Sequence, residues 1–320
     1  MYVNVRTVGK NMDGKWKGIA LIAAFAAWSA PASSVPDLGQ DKMLIVQMWL
    51  ARQGFSPGAL DGIMGTRTKG ALRAYQQREN LRPIDELDPK LHDRFYAEPM
   101  FTNYTVTGED TARLSPVPET WLAKSHRERL DYETVLELVA EKSWSHTNLI
   151  TRLNPDIDWT NVTAGTEIKV PHVVPPVVPG KAAFVKIFLS ERMIQAFDEQ
   201  TNLLVHFPCS VAASMDKRPN GELRVETMVS NPNYTFNPEV FPESAEGRQL
   251  GRKLLIPPGP NNPVGTVWIG LDRPGYGIHG TPRPEAVGRA ETHGCFRLAN
   301  WNAELLVKLL AIGTPVYVEP

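Results

Sequence analysis

Tyr276-Gly277-Ile278-His279-Gly280-Thr281, followed by Gly288-Arg289-Ala290-Glu291-Thr292-His293-Gly294-Cys295-Phe296-Arg297-Leu298, sets two histidines, a cysteine and two arginines among glycines. A thiol is a useful nucleophile only as thiolate, so it needs a base or a cation beside it. An imidazole within hydrogen-bond reach supplies that base, and a third acceptor must fix its tautomer. Glycines next to the thiol let the backbone approach a substrate and aim N–H groups at a developing oxyanion. Arg297, two residues from Cys295 on a strand, shares its face and could hold a carboxylate or brace the loop. The spacing does not separate His279 from His293 as base. It also leaves open a structural cluster, or a zinc site drawn from His206, Cys209, His279, His293 and Cys295.

Outward from this stretch, residues 181–320 read as a mainly β domain. Phe184–Leu189, Met193–Phe197 and Leu203–Phe207 are short β-rich runs separated by turn clusters. One late helix is expected over Ala303–Leu310, with Asn300 or Asn302 as its cap and Gly313 as its stop. Before the domain, residues 173–180 lie in the proline-rich run VPHVVPPVVPG, which favours extended polyproline II and acts as a semi-rigid linker.

The quoted residues resemble the L,D-transpeptidase (YkuD-type) catalytic domain, whose signature is H-G-T and then, after an insert with a glycine, S-H-G-C-[IVF]-R-[LM]. Thr292 stands where that family usually has serine; it keeps the hydroxyl and adds a methyl. Pro258 to Gly265 and Trp268-Ile269 also look like the family. The resemblance implies Cys295 as nucleophile and His279 as general base, with the Gly280 carbonyl holding the other imidazole nitrogen. It makes His293 a shaping or polarising residue, the N–H groups of Gly294 and Cys295 the oxyanion donors, and Arg297 and Thr292 supports of the loop. Tyr276 and Thr281, flanking the first histidine, are taken as substrate contacts.

Residues 37–97 read as a small helical module. Leu44, Val46, Gln47, Trp49 and Leu50 form one amphipathic run, and Thr68, Ala71, Leu72, Tyr75 and Gln76 a second. Between them Asp61-Gly62 and Gly65 mark a tight turn whose Asp61 and Thr68 oxygens can satisfy backbone N–H groups. Asp61-Gly62-x-x-Gly65-x-x-Thr68 before Ala71-Leu72-x-x-Tyr75-Gln76 resembles the PG_binding_1 peptidoglycan-binding domain, which implies wall contacts at Asp61, Gly62, Gly65 and Thr68. Residues 100–172 contain a helix candidate over Tyr132–Lys142, and Ile150–Pro155 followed by Gly165–Pro171 looks like the second half of a LysM-type repeat. No first strand is legible there, and a packing spacer is the alternative.

Residues 1–32 read as a secretory signal peptide. Arg6, Lys10, Lys15 and Lys17 precede the apolar run Gly18–Trp28 and the small-x-small site Ala30-Pro31-Ala32. The start is Met1 or Met12, and the expected destination is the periplasm or cell envelope. A net charge of −1 gives no bulk reason to bind nucleic acid, and two cysteines cannot make a disulfide framework. Cys209 is expected to be buried, in a strand and outside a disulfide.

The fold expected is therefore α+β multidomain: a small helical peptidoglycan-binding domain, a LysM-like segment and a mainly-β L,D-transpeptidase catalytic domain. The resemblance implies a cysteine acyltransferase that takes a tetrapeptide stem, releases D-Ala and passes the acyl group to an amine. The product would be a 3-3 cross-link, or a protein such as an outer-membrane lipoprotein attached to the wall. Peptidoglycan stem peptides and glycan are the partners, carbapenem-type β-lactams the inhibitors, and no cofactor or metal is needed. An L,D-carboxypeptidase or amidase using the same thioester, and a non-catalytic wall-binding protein, are the competing readings.

Overall fold

The computed structural model describes residues 38–86, 95, 99–241, 244–289, 292 and 294–320. The expected signal peptide and His293 lie outside the described residues. No helix among the described residues is long and apolar enough to cross a membrane.

The N-terminal unit pairs α1 (Leu38–Arg52) with α2 (Thr66–Arg78). Of the stripe read from the sequence, Val46 and Leu50, joined by Ile45, meet Ala71, Leu72 and Tyr75, while Leu44 packs on Leu60 and Leu149 instead. Trp49 packs edge-on to Tyr75 at 4.4 Å and Phe55 does so at 5.4 Å.

The middle unit holds β1 (Phe101–Thr105), α3 (Gly108–Arg113), α4 (Trp121–Ser125), α5 (Val135–Lys142), α6 (Thr147–Leu153) and β2 (Glu167–Pro171). β1 and β2 pair antiparallel from Phe101↔Pro171 to Thr105↔Glu167. β1 is the strand that the sequence hid: FTNYT is a polar five-residue run with one buried position, Thr102. The loop between α3 and α5 carries α4 onto the C-terminal domain, where Trp121 stacks on Phe236 at 4.4 Å and 12°. There the N–H groups of Trp121 and Leu122 both donate to the Glu246 carboxylate at 2.8 Å.

The C-terminal domain contains β3 (Phe184–Phe188), β4 (Met193–Phe197), β5 (Leu203–Pro208), β6 (Gly221–Ser230), β7 (Tyr234–Phe236), α7 (Ala245–Leu250), β8 (Leu254–Ile256), β9 (Val267–Leu271), β10 (Gly277–His279), β11 (Phe296–Arg297), α8 (Asn300–Leu309) and β12 (Pro315–Glu319). Eight strands form one sheet in the order β11-β10-β9-β6-β12-β3-β4-β5, and β7 and β8 make a separate pair. The sheet curls until its edges meet. Ser210, just past β5, bridges to Arg297, with Ser210 N–H to Arg297 O at 2.9 Å and Arg297 N–H to Ser210 O at 3.0 Å. This closure grips β11 from two sides, while residues 54–56 of the N-terminal unit cover the outer edge of β5. Alternate residues of the strands, such as Val185, Ile187, Ile194, Val205, Val267 and Ile269, bury against Ala303 and Leu306 of α8. Each such side chain contributes about 1.5–3 kcal/mol on burial.

Two details differ from the sequence reading. The late helix begins at Asn300, its N-cap is Ala299, and Asn300 does not act as a capping side chain. Cys209 is fully buried as expected, but it lies one residue beyond β5.

The units are stitched together by backbone. Phe55 bridges His206, with Ser56 N–H to His206 O at 2.8 Å and His206 N–H to Gly54 O at 2.9 Å, and Leu60 bridges Ser145 in the middle unit.

Candidate active site

β10 runs parallel to β11 with His279 opposite Arg297 and Ile278 opposite Phe296. Because side chains alternate along a strand, His279, Arg297 and Cys295 share one face while Ile278 and Phe296 enter the core. That face opens into a cleft of about 420 Å³ lined by His279, Cys295, Arg297, Thr292, Gly294 and Tyr276. Tyr234 and Phe241 form its apolar side, and Trp121 of α4 reaches it from the middle unit.

The His279 ring is fixed by a hydrogen bond and a stacked ring. Its Nδ1 lies 2.7 Å from the Gly280 carbonyl, so this nitrogen carries the proton and Nε2 is left as the base. Trp268, opposite it on β9, stacks on the ring at 5.7 Å and 22°. Burial first, and then the Arg297 charge, push its pKa down to about 3. Cys295 is pushed up to about 11, by burial above all, although the Gly277 N–H and Arg297 pull the other way. Its Sγ donates to the Gly275 carbonyl over 3.4 Å. Both shifts favour a neutral thiol and a neutral imidazole lining one cleft, the protonation states from which an imidazole can accept a thiol proton.

The turn before Cys295 is built by Thr292. Its Oγ1 donates to the Cys295 carbonyl at 2.6 Å and accepts from the Gly294 N–H at 3.3 Å. Thr292 is itself held by Val211, its N–H donating to Val211 O at 2.9 Å. Arg297 is partly buried, and its Nε has no hydrogen-bond partner among the described residues. Burial lowers its pKa.

Thr281, expected as a substrate contact, is buried away from the cleft: its N–H donates to Asn300 Oδ1 at 3.0 Å and its Oγ1 accepts from the Arg283 N–H at 3.3 Å. Asn300 is the residue that sequence reasoning misplaced. Its Oδ1 also accepts from Thr266 N–H at 3.1 Å, and its side chain hydrogen-bonds Glu141 of α5. A Cβ at Gly280 would fall 2.1 Å from that Oδ1, and one at Gly265 2.0 Å, so both glycines are required by the amide. Asn300 thereby holds the turn after His279 in place.

The N-terminal loop is arranged otherwise. Gln47 Nε2 donates to Asp61 Oδ1 at 2.8 Å, to Ile63 O at 3.0 Å and to Thr68 Oγ1 at 3.0 Å. Its Oε1 accepts from the N–H groups of Asp61 at 3.1 Å and Gly62 at 2.8 Å. Asp61 and Thr68 are thus joined inside the fold by one buried amide. The Gly65 N–H donates to Ile63 O at 2.8 Å.

Residues 182–318 match the L,D-transpeptidase catalytic domain family (YkuD), and residues 39–89 match PG_binding_1, described as "Putative peptidoglycan binding domain". A protein of Bacillus licheniformis named "Putative L,D-transpeptidase YkuD" is 26% identical over 186 residues, covering 58% of this chain and 93% of that protein. "Putative L,D-transpeptidase YqjB" of Bacillus subtilis is 36% identical over 109 residues, 32% of this chain and 52% of that protein. Among solved structures, an L,D-transpeptidase fragment from Xylanimonas cellulosilytica aligns over 91% of this chain and 100% of that one, at 14% identity and a TM-score of 0.37.

Proposed function

We propose that this chain, in which residues 182–318 form an L,D-transpeptidase catalytic domain and residues 39–89 a peptidoglycan-binding domain, is an exported enzyme that remodels peptidoglycan through an acyl-cysteine. One observation carries the reading. Cys295 and His279 project from adjacent strands into one cleft, and the imidazole is oriented by a backbone carbonyl at 2.7 Å.

In the first half-reaction Sγ attacks the carbonyl of the L-centre before the terminal D-Ala of a tetrapeptide stem. The thiol proton passes to His279 Nε2 and the C–S bond forms. The imidazolium then returns that proton to the departing amine as the C–N bond breaks, leaving a thioester and free D-Ala. In the second half-reaction an acceptor amine attacks the thioester, and its proton reaches the thiolate by way of the same imidazole. The Gly294 N–H, whose bond to Thr292 Oγ1 is long at 3.3 Å, turns to the developing oxyanion beside the Cys295 N–H. Arg297, whose Nε is unpaired among the described residues, holds a carboxylate or carbonyl of the stem. Carbapenems enter by the same acylation. The 37–97 module, and the 100–172 unit read as LysM-like, keep the enzyme on the wall.

Incubation with muropeptides bearing a tetrapeptide stem, followed by mass spectrometry, tests this. Release of D-Ala with formation of a 3-3 linked dimer is the expected result. A tripeptide stem as sole product would assign hydrolysis, and unchanged muropeptide would refute the enzyme.

A further inference from the structure

A cavity larger than the cleft, about 610 Å³, lies between the N-terminal unit and the C-terminal domain. The start of α2 forms one wall, Arg192 and Met193 the other, and Gly288-Arg289 the rim. Arg67, Arg73, Arg192 and Arg289 line it, against the carboxylates of Asp61 and Glu191 among the described residues. Arg73 also pairs with Asp85.

The floor is His206, which is 2% exposed. The Gln195 side-chain amide, an N–H donor, sits 3.3 Å from its Nδ1, so Nδ1 accepts and the ring proton is on Nε2. That Nε2 faces Gly70, where an added Cβ would stand 3.8 Å away, and it has no hydrogen-bond partner among the described residues. The thirteen-residue α2 points its N-terminus here without help. Gly65 supplies no capping side chain, and the first turn holds no acid. A buried N–H donor, the positive end of a helix and four guanidinium groups against two carboxylates suit an anion.

The rim belongs to the loop that leads into the cleft. Arg67 threads past Gly58 and Gly288 and donates to the carbonyls of Val287 at 2.9 Å and Glu285 at 3.2 Å. Gly288 adopts φ +78° there, and a Cβ on it would touch the Arg67 stem at 3.6 Å. Three residues after Arg289 comes Thr292, which lines the Cys295 cleft. Gly288-Arg289 thus rims the groove while Thr292 lines the cleft, and a branched polymer with carboxylated peptides can occupy both.

We propose that this groove is a second substrate site, binding the carboxylate of a peptidoglycan stem peptide other than the one acylated in the cleft. The identity of the ligand rests on the function proposed above; the anion site rests on the groove itself.

The test uses the full chain after carbapenem treatment, which fills the cleft, with a fluorescent muropeptide carrying free stem carboxylates as probe. Binding is expected to survive acylation. It should weaken at least tenfold in Arg73→Glu and in Arg289→Glu, and when the probe's carboxylates are amidated, while Arg73→Lys binds within threefold of the parent. Loss of binding on acylation, equal binding of the amidated probe, or indifference to both charge reversals would overturn the proposal. Displacement by inorganic phosphate, at concentrations where acetate has no effect, would assign the groove to a phosphate polymer and overturn the carboxylate. A chain that gains no mass from the carbapenem refutes the transpeptidase reading alone, and the binding criteria then apply to the unmodified chain.

Discussion

The loop Asp61–Thr68 and the segment Gly275–Arg297 are both punctuated by glycine and rich in polar side chains, but they direct those groups oppositely. In the first, the side chains of Asp61 and Thr68 turn inward to Gln47, which satisfies five partners at 2.8–3.1 Å. In the second, the thiol's bond to a carbonyl is long at 3.4 Å, the guanidinium Nε has no partner among the described residues, and the imidazole presents Nε2 to a cleft. A motif of polar residues between glycines can mark a loop that is finished or one that awaits a ligand. Hydrogen-bond bookkeeping tells them apart.

The contrast breaks most sharply at His279. Replacing it with Gln removes the base while keeping a polar side chain, and should slow acylation of Cys295 by about 10²–10⁴-fold. A rate within threefold of the parent, measured by mass spectrometry against time, would mean that the base lies elsewhere. In the N-terminal loop the loss should instead be structural. Gln47→Leu deprives part-buried groups on Asp61, Gly62 and Ile63, and the buried Thr68 hydroxyl, of their amide partner and should cost roughly 3 kcal/mol in denaturant unfolding. Its effect on carbapenem acylation should be much smaller than on stability; a parent-like midpoint would show that the amide network is idle.

Acid should weaken the active-site segment and the floor of the second groove. His206 and His279 have folded pKa values lowered to about 4 and about 3, so each is neutral when folded and binds a proton more readily when unfolded. Their stabilisation is complete above pH 6.5 and is lost as pH falls from there towards those values. By pH 5 each should have lost on the order of 2 kcal/mol. Urea midpoints at pH 7 and pH 5 measure the sum, and His279→Gln should reduce the difference by its share. The smallest effect should come from Thr292→Ser, which keeps the hydroxyl that bonds Cys295 O and Gly294 N–H. Acylation should stay within about threefold, below the 1.4 kcal/mol that a tenfold change represents, whereas Thr292→Val should lose the turn and more of the rate.

The placement of the candidate site was legible because it is local: His279, Cys295 and Arg297 fall within 19 residues, and strand alternation puts them on one face. What escaped notice depends on contacts between distant segments. Asn300 read as a helix cap because asparagine before an apolar helix usually is one. Its partners, Thr266, Thr281 and Glu141, are up to 159 residues away, as the numbering shows. Gln47 read as one position in an amphipathic run, since the groups it satisfies begin fourteen residues later. Strand β1 was missed because FTNYT has little apolar alternation and exists through its pairing with β2. Trp121 could not be assigned to the cleft from sequence, because the loop that brings it there crosses between units.

The most direct measurement is peptide mapping after brief exposure of the native chain to a carbapenem. The added mass should fall on the peptide containing Cys295 and leave Cys209, which burial makes a far weaker acid than a free thiol, unmodified; Cys295→Ser should take up none. A chain that gains no mass, or gains it on Cys209, would contradict a nucleophilic Cys295 served by His279.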